Sequence, residues 1–303
     1  MTENTEARGV CFRDVPGDHA ADALGSAVAD AAALGARLLQ LPSVRSASDG
    51  LDGAELADAA ALAAERGVAL TASLPAAHPD RIAQTWGDDP ASPRHPFAQL
   101  VAAERLGCEA VHVTVGVETD RLGGPESWRA QLERTAPVLR ELVARASMPV
   151  VLKTHEEMTV GEVLRVADAV DGVRVGFSPV NVVVRLDDPL ASAGLLAPVT
   201  HTVFLDDCDV VETGRGLARR MRRIGGGSLP WAQMLAAMPD ASVVVDLHRA
   251  SFEMPVDDAQ WVRLQPGADV AAARARAVPD RGDDALGARL AAAHALFGAV
   301  RGA

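Results

Sequence analysis

The run MPVVLK, Met148 to Lys153, is apolar at every position until it ends on a lysine. A strand buried on both faces reads this way, as in a parallel sheet covered by helices on either side. ASVVVDL, Ala241 to Leu247, repeats the pattern. Working outward from these two, eight strands are expected: Gly9–Arg13, Ala36–Leu41, Val68–Ser73, Ala110–Val115, Pro149–Thr154, Val173–Phe177, His201–Leu205 and Ser242–Leu247. Helices are expected between them. Asp52 with Glu55, and Thr159 with Glu162, have capping-box spacing, and the helices they open are expected to stop at Gly67 and near Gly172. Leu132, Ala136, Leu139 and Val143 form one helical stripe, with a kink expected at Pro137. Leu286, Leu290, Ala293 and Phe297 mark a last helix.

Eight strand–helix repeats in 303 residues predict an α/β fold, a (β/α)8 TIM barrel, as one domain over residues 1–303. A doubly wound open sheet would show a glycine-rich turn after its first strand. Here that strand runs into Arg13-Asp14-Val15-Pro16. Gly267–Asp284 reads as a long connection before the closing helix.

A net charge of −12 argues against nucleic acid and anionic membrane surfaces as partners. Tyrosine is absent, so stacking platforms for single strands are not expected. The first ten residues lack a signal-peptide pattern, no membrane span is expected, and the three cysteines are sparse. These features predict a cytoplasmic enzyme with a small-molecule substrate, a homodimer remaining an option.

A barrel carries its chemistry at the C-terminal ends of its strands. Those ends hold Arg13 and Asp14; Gln40 and Ser43; Lys153, His155, Glu156 and Glu157; Ser178 and Asn181; Asp206, Asp207 and Asp209; and Asp246, His248 and Arg249. Lys153 is the single lysine beside 28 arginines. A lysine at a barrel mouth suits a clamp on a carboxylate or enolate, a general base or a Schiff-base amine; the alternative is an ion pair with Asp246 or Glu156. His155 shares its parity. Asp246 and His248 could supply acid/base groups, part of a metal site, or a buried network closing the barrel. The Asp206–Asp209 cluster and the run Arg219, Arg220, Arg222 and Arg223 read first as solvated faces. Gly225-Gly226-Gly227-Ser228 could cradle an anion with its backbone amides.

The segments VVLKTHEEMTVGEVLRVADAV, VGFSPVNVVVRLDDPLASAGLLAPVTHT, RRIGGGSLPWAQML and VVVDLHRASFEMPVDDAQWV resemble the xylose isomerase-like sugar phosphate isomerase/epimerase superfamily. They look most like the branch that includes 3-oxo-isoapionate decarboxylase. The resemblance covers about residues 100–265 closely and the first hundred in architecture only. It implies a divalent ion held by Glu, Asp, His and Glu from strands five to eight, polarising a carbonyl and stabilising an enediolate or enolate. This chain places Lys153, Ser178, Val203 (or Phe204) and Asp246 at those positions, and Gly226 where a Gly-x-Gly loop carries an acid.

The expected reading is therefore an enzyme that isomerises, epimerises or decarboxylates a polyhydroxylated carbonyl compound or keto acid. It would use no cofactor, with Lys153 in place of the metal. Lys153, His155, Glu156, Asp246 and His248 are the catalytic candidates, Glu156 and Asp246 orienting the histidines. Arg13, Ser178, Asn181, Asp206 and Arg249 are the substrate-binding candidates. The alternatives are a shifted Mn, Mg or Zn site using His155, Glu156, Asp206 or Asp246, and a non-catalytic ligand-binding barrel.

Overall fold

The computed structural model describes residues 8–16, 24–78 and 89–298. Eight parallel strands close a barrel. They are β1 (Gly9–Cys11), β2 (Leu38–Leu41), β3 (Ala69–Ser73), β4 (Val111–Val113), β5 (Val150–Lys153), β6 (Arg174–Phe177), β7 (Thr200–Leu205) and β10 (Ser242–Val245), which returns to β1. Between β7 and β10 the chain adds β8 (Asp207–Thr213) and β9 (Gly216–Arg222), and after β10 it adds β11 (Phe252–Met254). Each barrel strand falls on an expected segment, with β7 starting one residue early.

Eight longer helices alternate with the barrel strands: α1 (Leu24–Leu34), α2 (Gly53–Glu65), α3 (Pro96–Arg105), α4 (Pro125–Arg145), α5 (Val160–Ala169), α6 (Pro189–Leu196), α7 (Trp231–Ala237) and α8 (Leu286–Gly298). Asp52 caps α2 by accepting from the N–H groups of Ala54 and Glu55. Thr159 and Glu162 form a reciprocal box at α5. Glu162 also binds Arg121 at 2.7 Å and the Trp128 indole at 3.1 Å, so this cap ties α5 to α4. α4 runs through Pro137, which leaves the Glu133 carbonyl without its helical donor. The apolar strand faces pack under the helices in the main core, while Cys11, Leu38, Phe204 and Val244 fill the barrel interior.

Two regions read as solvated from sequence are not. β8 and β9 pair antiparallel and, with β11, form a three-stranded sheet inserted after β7. Asp206, Asp207, Asp209, Arg219 and Arg222 are all buried. Asp209 accepts from Arg222 Nε at 2.6 Å and Arg281 at 2.9 Å. Only Arg220 and Arg223 keep outward contacts, to Glu253 and to Asp284. Charge of both signs in alternating positions looks solvated in sequence, but here Asp206 and Asp209 meet guanidinium groups brought from elsewhere in the chain, and Asp207 meets backbone amides. Gly216 starts β9 at φ +123°, where a side chain would strike the backbone of Met254 and Val256.

The Gly225–Ser228 loop cradles a carboxyl group of the chain itself. The amides of Gly225 and Gly227 donate to Asp207 Oδ2 at 2.9 and 3.0 Å. Gly267–Asp284 is also more ordered than a plain connection. It holds a short helix, Val270–Ala275, and Val278 bridges Val211 of β8. Among the described residues no helix is long and apolar enough to cross a membrane.

Candidate active site at the barrel mouth

The strand ends open into a cavity of about 500 Å³. Cys11, Phe12, Arg13, Gln40, Ser73, Lys153, His155, Glu156, Arg219, Asp246, His248 and Arg249 are in its wall, with Ala250, Ser251 and Phe252 at the edge. All five catalytic candidates line this one space, as do Arg13 and Arg249. Ser178, Asn181 and Asp206 do not. Ser178 is buried with an unpartnered hydroxyl. Asn181 donates to the Thr154 carbonyl at 3.2 Å and accepts from Arg219 at 3.3 Å. Asp206 is consumed by Arg289 and His248. The turn after β6 folds Ser178 and Asn181 out of the cavity, and Asp206, just after β7, is turned to Arg289.

Asp246 is the electrostatic centre. Its Oδ2 accepts from Lys153 Nζ and its Oδ1 accepts from Arg13 Nη2 at 2.5 Å. Burial alone would raise this carboxyl, but the two cations hold it well below the usual range. The ion-pair alternative for Lys153 is thus realised, at the mouth itself. Its ammonium also sits 3.9 Å from the centroid of Phe204, a cation–π contact. Gly176 pairs with Lys153 across β5 and β6 and makes room for that ring, since a side chain there would come within 2.8 Å of it.

The two histidines have other partners than expected. His155 Nδ1 meets Glu157, not Glu156, at 2.5 Å, and Glu157 is anchored by the Gly116 amide. Burial pulls His155 down, but the Glu157 carboxylate outweighs it and the imidazole titrates above its ordinary value. Glu156 instead pairs with Arg219 at 2.9 Å, which overcomes burial and lowers its carboxyl. His248 Nδ1 meets Asp206 at 3.2 Å, not Asp246, and its backbone N–H donates to the same oxygen at 2.7 Å. Burial lowers His248 below its ordinary value, with Asp206 only partly opposing.

Arg289, from α8, secures this second arrangement. It donates to both oxygens of Asp206, at 2.8 and 3.0 Å, and to the His248 carbonyl at 2.7 Å. Nothing in the sequence near His248 points to it, because it lies 41 positions away. Glu157 had a signal, two residues after His155 and so of the same parity. Arg219 was visible only as one of a basic run. Ser43 stays outside the cavity and bonds Gln99 at 3.0 Å.

The donors do not fit a divalent ion at the position the resemblance implies. Val203 and Phe204 offer no ligand atom, Ser178 is buried elsewhere, and Asp246 already serves two cations. A different trio, Cys11, Asp14 and Asp246, has its ligand atoms within 4.8 Å of one another. Arg249 lies 2.7 Å from Asp14, and burial pushes the Cys11 thiol well up. Three guanidinium or ammonium groups around two carboxylates leave no charge for a divalent cation.

A family model described as xylose isomerase-like TIM barrel matches residues 28–276. No curated protein matches the chain in sequence. Among solved structures the chain is similar to a D-psicose 3-epimerase from Clostridium cellulolyticum H10, with 15% identity, 97% of each chain covered and a TM-score of 0.62. It is similar to an L-ribulose 3-epimerase at 15% identity, covering 98% of this chain and 94% of that one, with a TM-score of 0.59. A 3-keto-D-glucoside 4-epimerase from E. coli aligns at 14% identity over 86% of this chain and 99% of that one, TM-score 0.56.

Proposed function

The chain belongs to the xylose isomerase-like TIM barrel family, and from that premise we propose that it is an enzyme acting on a polyhydroxylated carbonyl compound or keto acid through an enolate or enediolate. The observation that carries this reading is the pair of histidines in one cavity, pushed in opposite directions. His155 is raised by Glu157 and His248 is lowered by burial. Environments that split two like groups assign an acid and a base. His248 donates Nδ1–H to Asp206 and leaves Nε2 as the basic atom. It takes the proton from the carbon next to the carbonyl. His155, held as an imidazolium by Glu157, returns a proton.

Lys153 supplies the electrophile. Its ammonium, fixed by Asp246 and Phe204, stabilises the oxygen that gains charge as the C–H bond breaks. The group is preorganised, so little reorganisation is needed when that charge develops. The chemistry is isomerisation or epimerisation if the proton returns to carbon, and decarboxylation if the C–C bond to a carboxylate breaks in place of the C–H bond, releasing CO2 and leaving the bonding pair as the enolate. No divalent ion takes part in this scheme.

Solvent exchange tests it without knowledge of the natural substrate. D-psicose, D-fructose, L-ribulose and 2-keto-D-gluconate are incubated in deuterium oxide and followed by proton NMR. The parent protein is expected to exchange the hydrogen next to the carbonyl of at least one of them. His248→Ala and Lys153→Met are expected to abolish that exchange. No exchange with any of the four, or exchange that survives both substitutions, overturns the reading.

A further inference from the structure

The wall of the mouth is more positive than negative. Arg13, Lys153, Arg219 and Arg249 face only Glu156 and Asp246, in a chain whose net charge is −12. Arg219 is matched by Glu156 and Lys153 by Asp246. The imbalance falls on Arg13 and Arg249, neighbours at the rim, where Arg249 Nη2 donates to the Arg13 carbonyl at 2.6 Å. Arg13 must share Asp246 with Lys153. Arg249 has Asp14, at 2.7 Å but without hydrogen-bond alignment, since Asp14 Oδ1 counts no hydrogen bond. Asp14 is also a poor counter-ion, because burial pushes its carboxyl up to about 7.

Both guanidinium groups have donors to spare. Their side chains are 48% and 34% exposed. Each uses Nη2 for these contacts. Among the described residues, Nε and Nη1 of both carry no hydrogen bond or ion pair. A planar guanidinium with an open fork matches a carboxylate in shape as well as charge. A concave site with surplus positive charge attracts anions even on an acidic protein.

We propose that the substrate is a polyhydroxylated acid whose carboxylate lies against Arg13 and Arg249. This rests on the reading of Lys153 as the group at the reacting carbonyl, and it narrows that reading to acids. Arg13 and Lys153 hold opposite oxygens of one carboxylate, Asp246, so the rim and the ammonium lie close together. An acid whose carboxylate is a few bonds from its carbonyl spans them. A neutral ketose leaves the rim arginines unused.

Calorimetric titration at pH 7 with D-gluconate and D-glucitol isolates the carboxylate, because the two polyols otherwise share one carbon chain. Gluconate is expected to bind at least about tenfold more tightly, a preference that shrinks as salt is added. Arg249→Gln and Arg13→Gln are expected to bring gluconate down to the level of glucitol, and Arg249→Lys to restore part of it. Unchanged circular dichroism shows that each variant is folded, and a variant that fails this check leaves the other two to decide. Equal binding of the two polyols, or binding of neither, overturns the proposal. Inorganic phosphate binding more tightly than gluconate overturns it too, by assigning the rim to a phosphoryl group. Lys153→Met separates the two readings: it is expected to keep the gluconate preference while losing solvent exchange. If exchange survives and the preference persists, the enolate reading fails and the acid assignment stands.

Discussion

Lys153 and Asp246 meet across the barrel mouth, Nζ to Oδ2, although β6 and β7 separate their strands in the sheet. The pair holds the one lysine of the chain at the position where the resemblance implies a metal ligand. Lys153→Met is expected to lower turnover by about 10²-fold, on the scale of a lost oxyanion donor, while weakening binding of a substrate-like acid much less. Lys153→Arg is not expected to restore the rate, because a planar guanidinium cannot occupy the same point over Phe204. Steady-state kinetics on both variants check this. Intact turnover with only a lower melting temperature would make the residue structural.

The rate is expected to be bell-shaped in pH. It falls on the acid side as His248 gains a proton and on the alkaline side as His155 loses one. Glu157 raises His155, so Glu157→Gln is expected to move the alkaline limb to lower pH and leave the acid limb in place. A pH–rate profile for each protein reads this directly, and an alkaline limb that does not move argues against the assignment of His155.

Metal removal should not matter. After dialysis the protein is expected to hold well below one equivalent of zinc, manganese or magnesium, and a chelator is expected to leave solvent exchange intact. Elemental analysis showing one equivalent, with exchange lost to chelator, reverses this. His155, Glu156, Asp206 and Asp246 then become the ligands to substitute.

Burial pushes Asp207 from 3.8 up to about 7, against the amides of Gly227, Cys208 and Gly225. A carboxyl raised on folding stabilises fully below its unfolded value, and that stability is lost as pH rises through the folded value. The loss amounts to up to about 1.4 kcal/mol per pH unit between roughly 4 and 7. Asp14 acts in the same direction. His112 and His248, both lowered by burial, act in the opposite one. Comparing Asp207→Asn with the parent isolates the one group. The parent's advantage in melting temperature is expected to be larger at pH 5 than at pH 8. Parallel curves would count against it.

Gly176→Ala places a methyl group 2.8 Å from the Phe204 ring and 3.2 Å from Val151. Overpacking of this kind costs about 1–3 kcal/mol. It also moves the ring on which the Lys153 ammonium rests. Calorimetric melting and a turnover assay are expected to show both losses, and an unchanged melting temperature would mean the ring has room to shift.

Most of the barrel could be read directly. MPVVLK and ASVVVDL hold strands because Val150, Val151, Leu152, Val244 and Val245 are buried, and Asp52 and Thr159 are caps because a short acceptor precedes three open N–H groups. The inserted sheet could not. Its strands carry Asp207, Asp209, Arg219 and Arg222, and a buried charge looks like a solvated one until its partner is known. The candidate site divides in the same way. Lys153, His155, Asp246, His248, Arg13 and Arg249 could be found by reading strand ends, whereas Ser178, Asn181 and Asp206 occupy such ends and turn away.

The sequence by itself determined the closed eight-stranded barrel and the end at which its polar groups gather, because strand and helix periodicities are carried by residues a few positions apart. Only the tertiary structure decided the pairings: His155 with Glu157 rather than Glu156, His248 with Asp206 and through it Arg289, and Asp246 with both Lys153 and Arg13. Hydrogen bonds and ion pairs act over about 3 Å, and apart from His155 with Glu157 these partners are brought together from 42 to 233 positions away. Local pattern does not encode such distances, so the partners of His248 and Asp246 are set by the folded chain alone.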